Sequence, residues 1–372
     1  MLLTFITFII VFSLVIFAHE FGHFFAAKKA GVKVDEFGFG YPPRIFAKKW
    51  HGTEYSLNWI PFGGFVKLRG LEEEAGPDDP DSFMTKKAWP RFTILAAGVF
   101  MNIILAYIII CLGFMIGLPS AISGEVKNAH IKNPQVQVYE VMADSPAAKA
   151  ELKVGDFILA VNNQAITKID ELQNYDASVT ADQVTLKVKR DGKIKEISSA
   201  LTVLDETGQK KLGVGLVETG LVSYPFHLAL WQGLKTTGNL LWQIIYGIYS
   251  IIKSSFITHK FPTEIAGPVG IAVLSGQVAR LGFIYILQFV VILSLSLAIM
   301  NLIPLPAFDG GRILFVIIEK IKGRPVNRRV ENNIHLVGFY LLVALLIFVT
   351  FRDIGRYNLD DGVVNFFKNL FT

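Results

Sequence analysis

The sequence predicts a polytopic α-helical membrane protein with about four transmembrane helices, a membrane-associated β-hairpin region and a small α+β domain outside the bilayer. Of its 372 residues, 52% are hydrophobic and only 18% are charged, against about 25% charged in soluble domains. The mean hydropathy is +0.45. The apolar excess gathers in runs long enough to cross a hydrocarbon core of about 30 Å at about 1.5 Å per residue. The single Cys111 excludes a disulfide framework and a cysteine-based zinc site within one chain.

Four runs read as spans: residues 1–27, 92–118, 281–306 (apolar from Phe283 to Leu305) and 334–351. The first lacks a basic leader and carries HEFGH where a cleavage site would fall, so it is expected to be retained. Within residues 224–280, Leu240–Ile252 is apolar but too short to cross. Extended back to Leu228 it gathers Gln232, Lys235 and Asn239, so amphipathic helices at the interface or against protein are expected there.

Basic residues set the orientation. Lys28, Lys29, Lys33, Arg44, Lys48 and Lys49 follow the first span, and Lys86, Lys87 and Arg91 precede the second. Arg312, Lys320, Lys322, Arg324, Arg328 and Arg329 lie between the third and fourth. The positive-inside rule puts residues 28–91 and 307–333 in the cytoplasm. Both termini, the tail at 352–372 and the segment between spans two and three are then extracytoplasmic.

Residues 119–223 change character. "PQVQVYEV" and "VTLKVKRDGKIKEI" alternate with period two, and Asp191-Gly192 reads as a hairpin turn. Between them, Ser145 and Pro146 would start a short helix, Gly155 and Asp156 turn the chain, and Phe157–Val161 form another strand. The pattern "SPA…A.L..GD.I..VN" resembles a PDZ domain of the bacterial protease-associated kind. The resemblance implies a groove that takes a peptide by strand addition. A β-rich domain without a ligand, or one acting as a steric filter, fits the residues equally well.

The first span holds the chemistry. HEFGH places His19 and His23 at i and i+4, on one helix face, where two imidazoles can share a metal. Glu20, beside the first ligand, can serve as general base on a water at that metal. His19 precedes Lys28 by nine residues, roughly 13 Å inside the helix end. Ionisable groups at such depth usually face a protein interior or a water-filled cavity. Three polar groups acting as interhelical glue would be the plainer explanation, but their order in five positions favours a metal.

A catalytic zinc site usually has three protein ligands and one open position. The best third ligand is in "NLIPLPAFDGGRILF", residues 301–315. Asp309 is expected to end an apolar helix unwound by Pro304 and Pro306, with Gly310 and Gly311 turning the backbone behind the carboxylate. HEFGH, the NxxPxPxxDGG-like segment and the intervening PDZ-like domain together resemble the site-2 proteases, intramembrane zinc metalloproteases, in their bacterial RseP-type branch. The resemblance implies that His19, His23 and Asp309 bind Zn2+, that Glu20 is the catalytic base, and that Asn301 contacts the substrate backbone. It implies a bacterial inner-membrane location. A single PDZ-like domain stands where some relatives carry two.

Residues 34–69 are rich in Gly, Pro and aromatics without a helical period. "EYSLNW" alternates, and "PFGGF" could bend a hairpin back on itself. Strands dipping into the membrane interface are expected. The resemblance implies that their free edge pairs with an unwound substrate, with Gly63 and Gly64 among the substrate-binding residues. In span two, Gly98 is expected to allow close helix packing and Asn102 either the same or a place at the cavity. The implied partners are the lipid bilayer and single-pass transmembrane substrates pre-trimmed outside, anti-sigma factors or remnant signal peptides, with no nucleic acid among them. The rival classes are a membrane-anchored PDZ scaffold or chaperone with a structural metal, and a metal transporter.

Overall fold

A computed structural model describes residues 2–71, 79–122, 128–142, 144–171, 183–190, 192–203, 210–259, 266–324 and 326–356. It divides into two compact units, Met1–Ile110 with Leu234–Thr372, and Cys111–Gly233.

The first unit begins with α1 (Leu2–Lys29). Its buried residues Val11, Val15, His19, His23 and Ala27 recur every four positions, while Ile10, Leu14, Phe17, Phe21 and Phe25 are exposed. One stripe therefore packs against protein and the remaining apolar surface suits lipid. The chain then forms an antiparallel pair, β1 (Val34–Trp50) and β2 (Thr53–Leu68). Each strand folds back on itself. Glu36–Phe39 stands between Glu54–Leu57 on one side and Gly64–Lys67 on the other, so "PFGGF" is where β2 reverses. Ser13 Oγ donates to the Pro61 carbonyl at 2.7 Å and ties this bend to α1.

The second span is α2 (Ala88–Ile116). It ends two residues before the expected Leu118, because Gly117 takes φ +123° and Leu118 opens a strand. The later helices are α4 (Phe226–Thr258), α5 (Pro268–Leu281), α6 (Phe283–Leu302), α7 (Asp309–Lys322) and α8 (Arg328–Arg356); α3 belongs to the second unit. The third span stops at Leu302, short of the expected boundary, since Pro304 has no N–H to donate. Asp309 begins α7 rather than ending α6, which corrects the sequence reading.

Among the described residues five helices, α1, α2, α4, α6 and α8, are long and apolar enough to cross a membrane, one more than the four runs found in the sequence. The addition is α4, one continuous helix of 33 residues.

Buried polar contacts among the described residues tie these helices together, including two that run through a carboxylate. Arg91, at the start of α2, donates through Nη1 to Glu319 Oε2 of α7. The other Glu319 oxygen accepts the Val326 N–H at 3.1 Å. Nearby, Ala27, Val34, Phe83, Ile94, Leu95, Ile313 and Val316 form an apolar core joining α1, β1, α2 and α7. At the start of α5, the N–H groups of Gly267 and Gly270 donate to Asp353 Oδ2 of α8 at 2.8 and 2.7 Å. Both glycines are needed, because a Cβ at either would approach that carboxylate within about 3 Å.

The second unit is a sheet with α3 (Pro146–Lys149) packed on it. Its strands are β3 (Leu118–Ala121), β4 (His130–Val141), β5 (Phe157–Val161), β6 (Gln164–Ala165), β7 (Gln183–Arg190), β8 (Lys193–Ala200) and β11 (Val214–Ser223). The order is β3-β11-β4-β5-β7-β8, with β6 on β5. A separate short pair joins β9 (Thr202–Val203) to β10 (Lys210–Lys211). Val136, Val138, Ile158, Leu186 and Val188 fill the core on alternate strand positions. Ser145 caps α3, its Oγ accepting from the Ala148 N–H at 3.2 Å. Asp156, 1% exposed as a side chain, receives both arms of Arg190 at 2.6 Å. The β7–β8 hairpin closes at Arg190 and Lys193 with Gly192 at φ +77°. Asp191 lies outside the described residues, as does the tail beyond Arg356.

Candidate metal centre

The centre is built from α1, α2 and the break between α6 and α7. His19 and His23 are one turn apart on the buried stripe of α1, and their Nε2 atoms stand 3.2 Å from each other. Asp309 Oδ2 is 3.0 Å from His19 Nε2 and 3.3 Å from His23 Nε2. Donors about 2.0–2.2 Å from a tetrahedral ion lie roughly 3.3–3.6 Å from one another. These three atoms therefore have close to the mutual spacing that one zinc ion requires.

A second observation fits the same donor set. His23 Nδ1 is 2.8 Å from the carbonyl oxygen of Ile94 in α2. Donation of the Nδ1–H to that oxygen fixes the neutral tautomer and turns the Nε2 lone pair toward the cluster.

Two glycines let the helices come this close. A Cβ on Gly22 would run into the Ala97 carbonyl of α2, and a Cβ on Gly98 would lie 2.7 Å from His19 Cε1 and 2.8 Å from His19 Nδ1. Gly98 thus leaves room for the imidazoles, a more specific task than the helix packing expected of it.

Asp309 is presented by an irregular segment. Ala307 takes φ +77°, a conformation that a residue with a Cβ rarely adopts. Its N–H donates to His335 Nδ1 of α8 at 3.2 Å. Gly310 and Gly311 do not turn the chain, as the sequence suggested; they sit in the first turn of α7. A Cβ on Gly310 would strike the carbonyls of Leu302 and Ile303, and one on Gly311 that of Leu305. The glycines let α7 start directly against the end of α6.

Glu20 borders the same cavity of about 570 Å³ as His19, His23 and Asp309. Gly64 brings β2 to it, a Cβ there lying 3.8 Å from Glu20 Cγ. Gly63, at φ +101°, faces Ile16 and Tyr41 instead. Asn301 is buried at the end of α6 with Nδ2 3.3 Å from His19 Nε2. Of the expected site residues, His19, Glu20, His23, Asn301, Asp309 and Gly64 are brought together, and Gly63 stands behind them. Sequence reasoning missed Gly22, although it lies inside HEFGH, and His335, a lone histidine in the apolar run "NNIHLVGF".

Fold and site define a membrane-embedded metallopeptidase. The model for peptidase family M50 matches residues 7–345, and the chain belongs to that family, which holds the site-2 proteases. A Clostridium perfringens (strain 13 / Type A) protein provisionally named as a zinc metalloprotease is 34% identical over 347 residues, covering 93% of this chain and 97% of its own. The regulator of sigma-W protease RasP of Bacillus subtilis (strain 168) is 28% identical over 438 residues, covering 95% and 98%. Among solved structures, the PDZ domain of a Listeria innocua SdrC-like protein is 31% identical with a TM-score of 0.21, covering 22% of this chain and 92% of that domain.

Proposed function

We propose that this zinc metalloprotease hydrolyses peptide bonds inside the bilayer, within transmembrane segments of single-pass proteins, with His19, His23 and Asp309 as the zinc ligands. The observation that carries the reading is the convergence of His19 Nε2, His23 Nε2 and Asp309 Oδ2 beside Glu20 in one cavity. Zinc, when bound, supplies Lewis acidity that polarises a carbonyl and acidifies water. Glu20 accepts the proton of the attacking water and returns it to the leaving nitrogen. A purely structural metal has no use for that glutamate, which favours a hydrolase over a scaffold.

The substrate must unwind, because a helix hides its scissile carbonyls in internal hydrogen bonds. Gly64–Lys67 is hydrogen-bonded on one side, to Glu36–Phe39. Its other side can pair with an extended segment, and Gly64 aims that segment at Glu20. The buried Asn301 amide beside His19 holds the substrate backbone. Substrates of this kind include anti-sigma factors trimmed on the outer side and remnant signal peptides. The name of the Bacillus subtilis relative, a regulator of sigma-W protease, supports the first.

The same reading puts the chain in the bacterial inner membrane with the PDZ-like domain outside. α1 runs inward, α2 outward, α6 inward and α8 outward. Thr4, near the outer end of α1, packs against Gly276 of α5, which keeps α5 on the outer side. α4 therefore starts and finishes on one face. A single crossing there would put Asp309 on the wrong side of the bilayer from the histidines, so α4 lies along the outer interface.

Replacing Glu20 by Gln tests the assignment. The variant should keep its zinc and lose cleavage of a model transmembrane substrate in detergent or liposomes. Full activity in Glu20→Gln would remove the general-base role.

A further inference from the structure

The surroundings treat the two histidines differently. His23 has the Ile94 carbonyl for its Nδ1–H, whereas His19 Nδ1 is buried and meets no hydrogen-bond partner among the described residues. A metal-binding imidazole almost always gives its other N–H to an acceptor, which fixes the ring's tautomer and direction.

α2 carries one side chain with capacity to spare. Asn102 is 0% exposed, and neither its Oδ1 nor its Nδ2 has a partner among the described residues. The register of the two helices brings it to the level of His19. Ile94 and Gly98 stand at His23, Ala97 and Met101 stand at Gly22, and Gly98 also touches His19. α1 and α2 therefore run in opposite directions. His19 lies one turn before His23, so its counterpart lies one turn beyond Gly98, at Asn102. Ser294 Oγ of α6 donates to the Asn102 carbonyl at 2.9 Å and pins that turn from the other side.

We propose that Asn102 is a positioning residue whose Oδ1 accepts the Nδ1–H of His19, directly or through one water, and so keeps His19 Nε2 directed at the zinc. The proposal rests on the zinc assignment above. It gives each histidine its own acceptor on α2, a main-chain oxygen for His23 and a side-chain oxygen for His19.

The test uses the full-length chain purified in detergent. Zinc affinity is read by competition with a chelator, the ligand field by the visible spectrum after cobalt substitution, and folding by thermal unfolding of the metal-free protein. Asn102→Leu, which keeps the volume and removes the acceptor, should weaken zinc binding by about 10–100-fold and shift the cobalt spectrum. Asn102→Asp, which restores an acceptor, should bind zinc close to wild type. Should the Leu variant fail to fold, Asn102→Ala reports the same loss. Unchanged affinity and spectrum in the Leu or Ala variant would overturn the proposal, and so would an Asp variant as weak as Leu, which would mark a packing role. Asp309→Ala is the control: if it holds zinc as wild type does, the ligand assignment has failed, and that result is separate from the behaviour of the Asn102 variants.

Discussion

Gly98 shows how much of the site depends on what is left out of a side chain. It carries no chemistry, yet a Cβ at its position would lie within 2.8 Å of two atoms of the His19 ring. That is closer than Cβ atoms approach in folded proteins, so the imidazole must move or the helices part. A displacement approaching 1 Å at a catalytic group can cost about 100-fold in rate. Gly98→Val should lower cleavage by about that factor while leaving the PDZ-like domain folded, as initial rates and near-UV circular dichroism would show. His19, Glu20 and His23 were legible because their spacing is itself the chemical signal. The part played by Gly98 was not, since a lone glycine in an apolar helix looks the same whether it faces lipid, another helix or a ligand ring.

Among the elements, the break between α6 and α7 departs most from the sequence reading. Pro304 and Pro306 marked it, but the direction of the chain on either side is decided by tertiary contacts. Gly310 and Gly311 fit against the carbonyls of Leu302, Ile303 and Leu305, so Asp309 opens a helix instead of closing one. α7 is then held in place by Arg91 and Glu319, both 8% exposed as side chains. Removing one member of such a pair leaves the other charge buried, at a cost of about 3–5 kcal/mol. Arg91→Leu should lower the unfolding temperature in detergent by an amount matching that range, and Glu319→Gln should do less because its amide still pairs with the Val326 N–H or the guanidinium. Nothing in the sequence linked residues 91 and 319, which are far apart along the chain. The PDZ-like segment was easier, because its strands and cap are local: the Ser145 cap, the Gly155-Asp156 turn and the β7–β8 hairpin each lie within a few residues.

At the scale of the molecule, the number of helices able to cross and the number that do cross are separate questions. α4 satisfies length and apolarity, but the shared level of His19, His23 and Asp309 requires α1 and α6 to run the same way. A cysteine scan along α4, in a chain with Cys111 replaced by Ser, tests the in-plane placement with a membrane-impermeant thiol reagent added outside intact cells. The polar-face positions at Gln232, Lys235, Asn239 and Gln243 should all label; labelling at one end only would mean that α4 crosses. Hydropathy could not separate these cases, since the apolar face of an in-plane helix and the surface of a spanning one have similar compositions.

The donor set also has a mechanical side. Two of its members ride on the first helix and the third on one that begins at residue 309, so a bound ion staples two segments far apart along the polypeptide into a single closed circuit. Any ligand that binds only the folded form adds stability as the logarithm of one plus the ratio of its free concentration to its dissociation constant, about 2.7 kcal/mol at a hundredfold excess. Stripping the ion with a strong chelator should therefore soften the helical bundle and leave the melting of the PDZ-like domain unmoved. Calorimetry would resolve this as the displacement of one transition out of two.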